Sequence, residues 1–306
     1  MTNARGKHID NTHLSIEQAA KRGFAHRDFL AHCLRWTHIV KYMSNHQSYK
    51  NARVLDVGCG HELQLAKTLY SSRLVVKDYV GVDYNPIHKF DLEPFHTGKF
   101  PVTAYGGVIF PDSFTFKDEG YCLTGDDEIH EYPTVLTCFE VLEHVEPNRA
   151  RKMLETFKQV AQHNPICRVF ISTPCYDANT GAADNHVSEI TYQALGGLIE
   201  DLGFTIENHW GTFASQKDYK HVMLSEHPEL QPVWDKLSEY YDSNYLATLW
   251  SPMYPQHSRN CLWQLKPYRN MDEPRMFEPL IKAPQPWTHS EHWAELNGDL
   301  STRDKS

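Results

Sequence analysis

The chain reads as an α/β protein with a doubly wound, mostly parallel sheet, helices ahead of its first strand and a helical insertion near its end. Three observations predict this. Short apolar strands alternate with amphipathic helices from about residue 50 to about residue 210. The first strand runs straight into a glycine turn. Over 306 residues, 41% hydrophobic and 12% aromatic content supplies enough apolar surface for a large core.

Residues 12–48 read as helix. Ser15 and Gln18 have the spacing of a capping box, in which each side chain satisfies an orphan amide. Phe29, Leu30, Cys33, Leu34, Thr37 and Val40 recur at three- and four-residue intervals and predict one apolar stripe. Arg53–Val57 reads as a buried strand. After the glycine turn, Leu63, Ala66, Leu69 and Tyr70 mark a helix face, and Tyr79–Asp83 is a second strand. Strand, helix and strand in about 30 residues make a βαβ unit, which requires parallel pairing and a right-handed crossover.

Between 86 and 124, Val102–Tyr105, Val108–Phe110 and Phe114–Phe116 read as short strands of an inserted hairpin. Pro133–Cys138 resumes the alternation. Pro147, pre-set for a first helical turn, opens a helix with Ala150, Leu154, Phe157 and Ala161 on one face. Arg168–Ser172 is the next strand. A helix over 191–202 ends at Gly203, and Phe204–Asn208 follows as a strand. Residues 214–257 break the order with helical sequence carrying Trp234, Tyr240, Tyr241, Tyr245 and Trp250. Two readings stand: a cap over a pocket, or a satellite core or oligomer contact. Asn260–Leu265 is strand-like, and beyond it prolines without a period predict a tail.

Formal net charge is -9 and no block of basic residues occurs, which argues against a nucleic-acid partner held through many phosphate contacts. No window approaches the roughly 18 apolar residues of a membrane helix, so no membrane partner is expected. The first residues lack an apolar h-region and are not expected to act as a secretory signal. Seven scattered cysteines without a C-x-x-C pair predict neither a disulfide framework nor a metal site, and fit a reducing cytoplasm.

The chemistry concentrates at strand ends. In Val54-Leu-Asp-Val-Gly-Cys-Gly60, Gly58 and Gly60 let backbone approach a ligand, and Asp56 sits where a carboxylate can meet an ammonium. Asp83 ends the next strand and can accept both hydroxyls of a ribose. Asp126 and Asp127, ahead of the following strand, suit an adenine amine. Ammonium, diol and adenine are the three handles of S-adenosylmethionine, and such sheets bind ligands at the carboxyl ends of their strands. Cys138-Phe-Glu-Val-Leu-Glu-His144 is expected to floor the cleft. Each feature has a plainer alternative, a tight βα turn or a strand-end cap, but their conjunction points to the cofactor.

Val54–Gly60 resembles motif I of class I S-adenosylmethionine-dependent methyltransferases, and Val80–Asp83 resembles their acidic second motif. Gly125-Asp126 resembles the third. Phe139–Val145 is similar to the fourth in small-molecule members such as the ubiquinone-pathway O-methyltransferases. The resemblance spans about residues 50 to 210. It implies a cofactor site lined by Asp56, Gly58, Cys59, Gly60, Asp83, Asp126, Phe139 and Glu140, with Tyr84 and Asp127 beside their neighbours. It also implies seven strands in the order 3-2-1-4-5-7-6, the last antiparallel. The chain departs from the pattern where Leu63 replaces a third glycine, and in a longer stretch after Asp83 that makes Asp91 a competitor for the adenine contact. The expected parts are an N-terminal helical lid (1–48), a Rossmann-like core (49–213), a helical cap insertion (214–257), the last core strand (258–266) and a Pro-rich tail (267–306).

The expected reaction is methyl transfer to an O or N nucleophile of a small molecule. A hydroxyl acceptor must lose its proton near neutral pH, a task suited to histidine, and His144 and His186 are the candidates, with packing and helix capping as their competing roles. Tyr176, Glu189 and Trp210 are expected to wall the acceptor pocket. The alternatives are a methyltransferase acting on nucleic acid or a modified nucleotide, and a non-catalytic subunit of the same fold. The Asp/Asn-Pro-Pro-Tyr/Phe segment that holds a flipped base is missing after the fourth strand, and Pro174-Cys175 follows the wrong strand for a cytosine-C5 nucleophile. Dinucleotide binding favours G-x-G-x-x-G, which Leu63 breaks.

Overall fold

The structure is a computed structural model. It describes residues 27–88, 92–95, 98–123, 128–176, 182–183, 185–214, 223–241, 243–269 and 272–280. Expectations placed on Ser15, Gln18, Asp91, Gly125, Asp126, Asp127 and residues 281–306 lie outside the described residues. The chain divides into two compact units, Trp36–His209 with Asn260–Ser306, and Met1–Arg35 with Trp210–Arg259.

The strands are Arg53–Val57 (β1), Asp78–Val82 (β2), Val102–Tyr105 (β3), Phe114–Phe116 (β4), Gly120–Leu123 (β5), His130–Glu131 (β6), Val135–Phe139 (β7), Arg168–Pro174 (β8), Thr205–Phe213 (β9) and Asn260–Lys266 (β10). The α-helices are Arg27–Asn45 (α1), Gln64–Ser71 (α2), Pro147–Gln162 (α3), Tyr192–Asp201 (α4), Gln231–Ser238 (α5) and Ser243–Trp250 (α6). Seven strands form one sheet in the order β3-β2-β1-β7-β8-β10-β9. β1 pairs in parallel with β2 and β7, as do β2 with β3 and β7 with β8, whereas β10 runs antiparallel to β8. This is the order, with its reversed strand, that the resemblance implies.

The central strands are rich in apolar residues because helices cover both faces of a parallel sheet. Val54, Leu55, Val135, Leu136, Val169, Phe170 and Ile171 are all buried. α3 starts on Pro147 and turns Ala150, Leu154, Phe157 and Ala161 into the same core, the face its spacing predicts.

Several local readings change. Val102–Tyr105 is not part of a hairpin but the edge strand of the main sheet, in register with Tyr79–Val82. Val108–Phe110 is not a strand; the Val108 amide donates to the Asp83 carbonyl (3.0 Å). Phe114–Phe116 joins β5 and β6 in a separate three-stranded antiparallel sheet. Alternation over three or four residues does not say which partner a strand takes. In α1 the buried stripe is Ala31, Arg35, Ile39 and Met43, while Thr37 is exposed. A search for apolar residues steps over Arg35 and so lands on the wrong face. β9 continues to Phe213, past Asn208.

In the second unit, Ala214, Met223, Leu224, Trp234, Leu246 and Ala247 bury against one another, and the Trp234 and Trp250 rings meet edge to face at 5.3 Å. The insertion's apolar side chains thus build a core of their own. The stretch expected to be tail begins as packed chain: Phe277 and Leu280 are buried. Among the described residues no helix is long and apolar enough to cross a membrane.

Candidate functional site

β1 ends at Val57 and turns through Gly58 (φ 77°) and Gly60 (φ 64°), backbone that costs an L side chain roughly 1–2 kcal/mol. At Gly58 space also forbids a side chain, since a Cβ would lie 2.1 Å from Val141 Cγ2. At Gly60 a Cβ would stand in open space. The Gly58 and Cys59 amides donate to the Val82 carbonyl (2.8 and 3.2 Å), which pulls the turn against β2. The Gly60 amide donates to Asp83 Oδ2 (2.9 Å) and the Asn85 amide to Oδ1 (2.7 Å). Asp83 therefore ties together the loops after β1 and β2. The position of a third glycine holds Leu63 with φ 49° and ψ 48°, fully buried. Burying a leucine contributes about 1.5–3 kcal/mol, enough to offset that backbone cost.

Asp56 faces inward, 4% exposed, rather than toward a ligand. Its Oδ2 accepts from the Tyr79 hydroxyl and its Oδ1 from the Thr137 hydroxyl, both at 2.6 Å. Burial pushes its carboxyl up to about 6, against the two hydrogen bonds that favour the charged form and with a smaller push from Asp83. Asp56 thus forms a buried bridge joining β1, β2 and β7. Cys59 is also turned in: its sulfur packs over Gly81, and burial pushes its thiol well up, which keeps it from acting as a thiolate.

Beside the turn opens a cavity of about 750 Å³. Of the predicted residues, Gly58, Asp83, Tyr84, Glu140 and His144 line it. Asp56, Cys59, Gly60 and Phe139 stand outside its lining. Sequence reasoning missed its apolar walls, Val108, Ile109, Phe110, Val145 and Met153, and the rim residue Arg149. Arg149 donates to the Phe110 carbonyl (3.2 Å) and pairs with Asp112 (3.0 Å), which holds that loop on α3. Glu140, at the end of β7, adopts φ 58°, a conformation rare outside glycine that persists only when its surroundings fix it. They do: its amide donates to the Ser172 carbonyl (2.9 Å), Oε1 accepts from the Ser172 hydroxyl (2.9 Å) and Oε2 from Asn260 Nδ2 (2.7 Å). Nothing in the local sequence signals Asn260, which arrives from the last strand.

The histidine candidates come together. The His144 and His186 rings lie edge to face at 4.9 Å. His186 Nδ1 contacts the buried carboxylate of Glu189, and His144 Nδ1 faces the Asn185 carbonyl (3.2 Å). Glu143, within the segment expected to floor the cleft, is buried and accepts from the Thr173 hydroxyl (3.1 Å). Tyr176 donates its amide to the Ile190 carbonyl (3.0 Å), and Trp210 belongs to the other unit. Cys175 is buried in the core, consistent with no nucleophilic role.

Two features fit S-adenosylmethionine: the open space at Gly60, and a strand-end carboxylate, Asp83, that is anchored by two amides and lines the cavity. Comparison with known proteins finds that residues 24–209 match a family model described as "Methyltransferase domain". No curated protein sequence matches the chain. Among solved structures, the small RNA methyltransferase HEN1 is similar at 17% identity and TM-score 0.47, over 79% of this chain and 25% of that one. This chain thus spans about a quarter of HEN1. The magnesium protoporphyrin IX methyltransferase of Synechocystis PCC 6803, with bound S-adenosylhomocysteine, is similar at 11% identity and TM-score 0.43, over 82% and 87%. Coclaurine N-methyltransferase, bound to N-methylheliamine and S-adenosylhomocysteine, is similar at 12% identity and TM-score 0.42, over 75% and 70%.

Proposed function

Since the chain belongs to the methyltransferase-domain family and is an S-adenosylmethionine-dependent methyltransferase, we propose that its acceptor is a small molecule with an oxygen or nitrogen nucleophile. The observation that carries this reading is the character of the cavity. Its volume of about 750 Å³ suits small ligands, whose sites run to about 300–1,000 Å³. Its walls are largely apolar, and its guanidinium, Arg149, is already engaged by Phe110 and Asp112. A polyanion needs several such cations directed at its phosphates.

Asp83 would hold the ribose, and the glycine turn would let the cofactor approach the backbone. A bound cofactor would supply a methyl group on a sulfonium for displacement by the acceptor, whose proton would pass to a nearby base or to water. The chain's task is to hold the nucleophile in line and activate it. Activation falls to His144, which lines the cavity, and to His186 beside it, oriented by Glu189. Seven scattered cysteines without a C-x-x-C pair fit a reducing, cytoplasmic setting.

Incubation with methyl-tritiated cofactor and either a metabolite extract or total RNA and DNA tests the reading. Label is expected in the small-molecule fraction. Label confined to nucleic acid, or transferred to neither, would contradict it.

A further inference from the structure

Glu143, His144 and His186 each offer a ligand atom, and these atoms lie within 4.8 Å of one another. We propose that these three residues form a binding site for a divalent transition-metal ion at the edge of the cavity that His144 lines.

The donor set and its surroundings carry this. Two imidazoles and one carboxylate suit zinc, manganese or iron rather than the oxygen-only shells of calcium and magnesium. Metal-bound histidines hand their other ring nitrogen to a carboxylate or carbonyl, which fixes the tautomer. Both histidines have that arrangement: His186 Nδ1 is on Glu189, and His144 Nδ1 is on the Asn185 carbonyl at 3.2 Å. The Thr173 hydroxyl orients Glu143 through Oε2 (3.1 Å), while Oε1 lies 3.9 Å from His144 Nε2. The two ligand-bearing segments are also locked together. The Glu143 carbonyl accepts from the Val187 and Ser188 amides (2.8 and 3.1 Å), and the Ser188 hydroxyl donates to the Val145 carbonyl (2.6 Å). Glu143 is 1% exposed, a setting in which a carboxylate suits coordination to a dication.

Three protein ligands leave positions open for an acceptor, the pattern of catalytic rather than structural sites. A hydroxyl bound there loses its proton to water near neutral pH while the ion keeps its charge, so the acceptor oxygen is left as the nucleophile. The role rests on the methyl-transfer reading and narrows its acceptor to oxygen; the binding of the ion does not rest on it.

The test is calorimetric titration of chelator-treated full-length protein with MnCl2 and with ZnCl2, with S-adenosylhomocysteine titrated separately. One ion per chain is expected. Glu143→Gln and His186→Asn should weaken it at least tenfold, and Glu189→Gln by about 10–100-fold. His144 is 40% exposed, so His144→Asn should keep the wild-type unfolding midpoint and still lose the ion, which covers the case in which the buried variants fail to fold. No ion bound by protein that binds S-adenosylhomocysteine, or equal ion affinity in wild type and folded His144→Asn, would overturn the site. Ion binding without S-adenosylhomocysteine binding would leave the site standing and remove the cofactor reading.

Discussion

At the scale of single residues, two aspartates that look alike in sequence do opposite things. Asp83 directly follows β2 at the cavity and collects backbone amides, whereas Asp56, one residue short of its strand's end, points into the sheet. Burial dominates the Asp56 carboxyl and lifts it to about 6, although Tyr79 and Thr137 donate to it. An ordinary aspartate titrates near 3.9. Between about pH 4 and 6 the folded state therefore holds the proton more firmly than the unfolded chain. That contribution is present at low pH and lost as pH rises through about 6. Asp56→Asn removes this titration. Relative to wild type it should gain about 2 kcal/mol of stability between pH 4 and pH 7, read by denaturant unfolding at both values. A difference that does not move with pH would contradict the burial.

At the scale of elements, the segment after β10 is the part whose importance is least visible. Phe277 lies over Gly196 of α4, where a Cβ would come within 2.4 Å of its ring, and stands 5.6 Å from the Trp263 ring. Glu200 of α4 accepts the Met276 and Phe277 amides, both at 3.0 Å. Phe277→Ala should cost about 3–5 kcal/mol in chemical denaturation, as for other buried aromatic residues; a loss under about 1 kcal/mol would show that the segment is not part of the core. One aromatic residue among prolines has no period, so pattern reading sees only a tail. The same physics explains the other differences. The βαβ unit, the glycine turn and the Pro147 helix are legible because their signals lie within a few neighbouring residues. The buried face of α1 is hidden by Arg35, whose 2% exposure no hydrophobic pattern anticipates. Val102–Tyr105 is legible as a strand but not as a neighbour of β2, because pairing across a crossover is a tertiary choice. Glu143, His144 and His186 converge from two distant segments, so a search for local metal-ligand spacing passes over them.

At the scale of the whole molecule, the sheet order places the ends of β1, β2 and β7 side by side, and the cavity opens over them. That is where a doubly wound sheet binds its ligand. Gly58, Asp83, Glu140 and His144 are among the residues that line the cavity. The most direct test of this account is calorimetry with S-adenosylhomocysteine and with NAD, on wild type and on Asp83→Ala. Wild type should bind one S-adenosylhomocysteine per chain and no NAD. Hydrogen bonds to a charged group contribute about 1.5–3 kcal/mol each, so Asp83→Ala should bind at least about tenfold more weakly. Undiminished affinity in Asp83→Ala, or a preference for NAD, would contradict it.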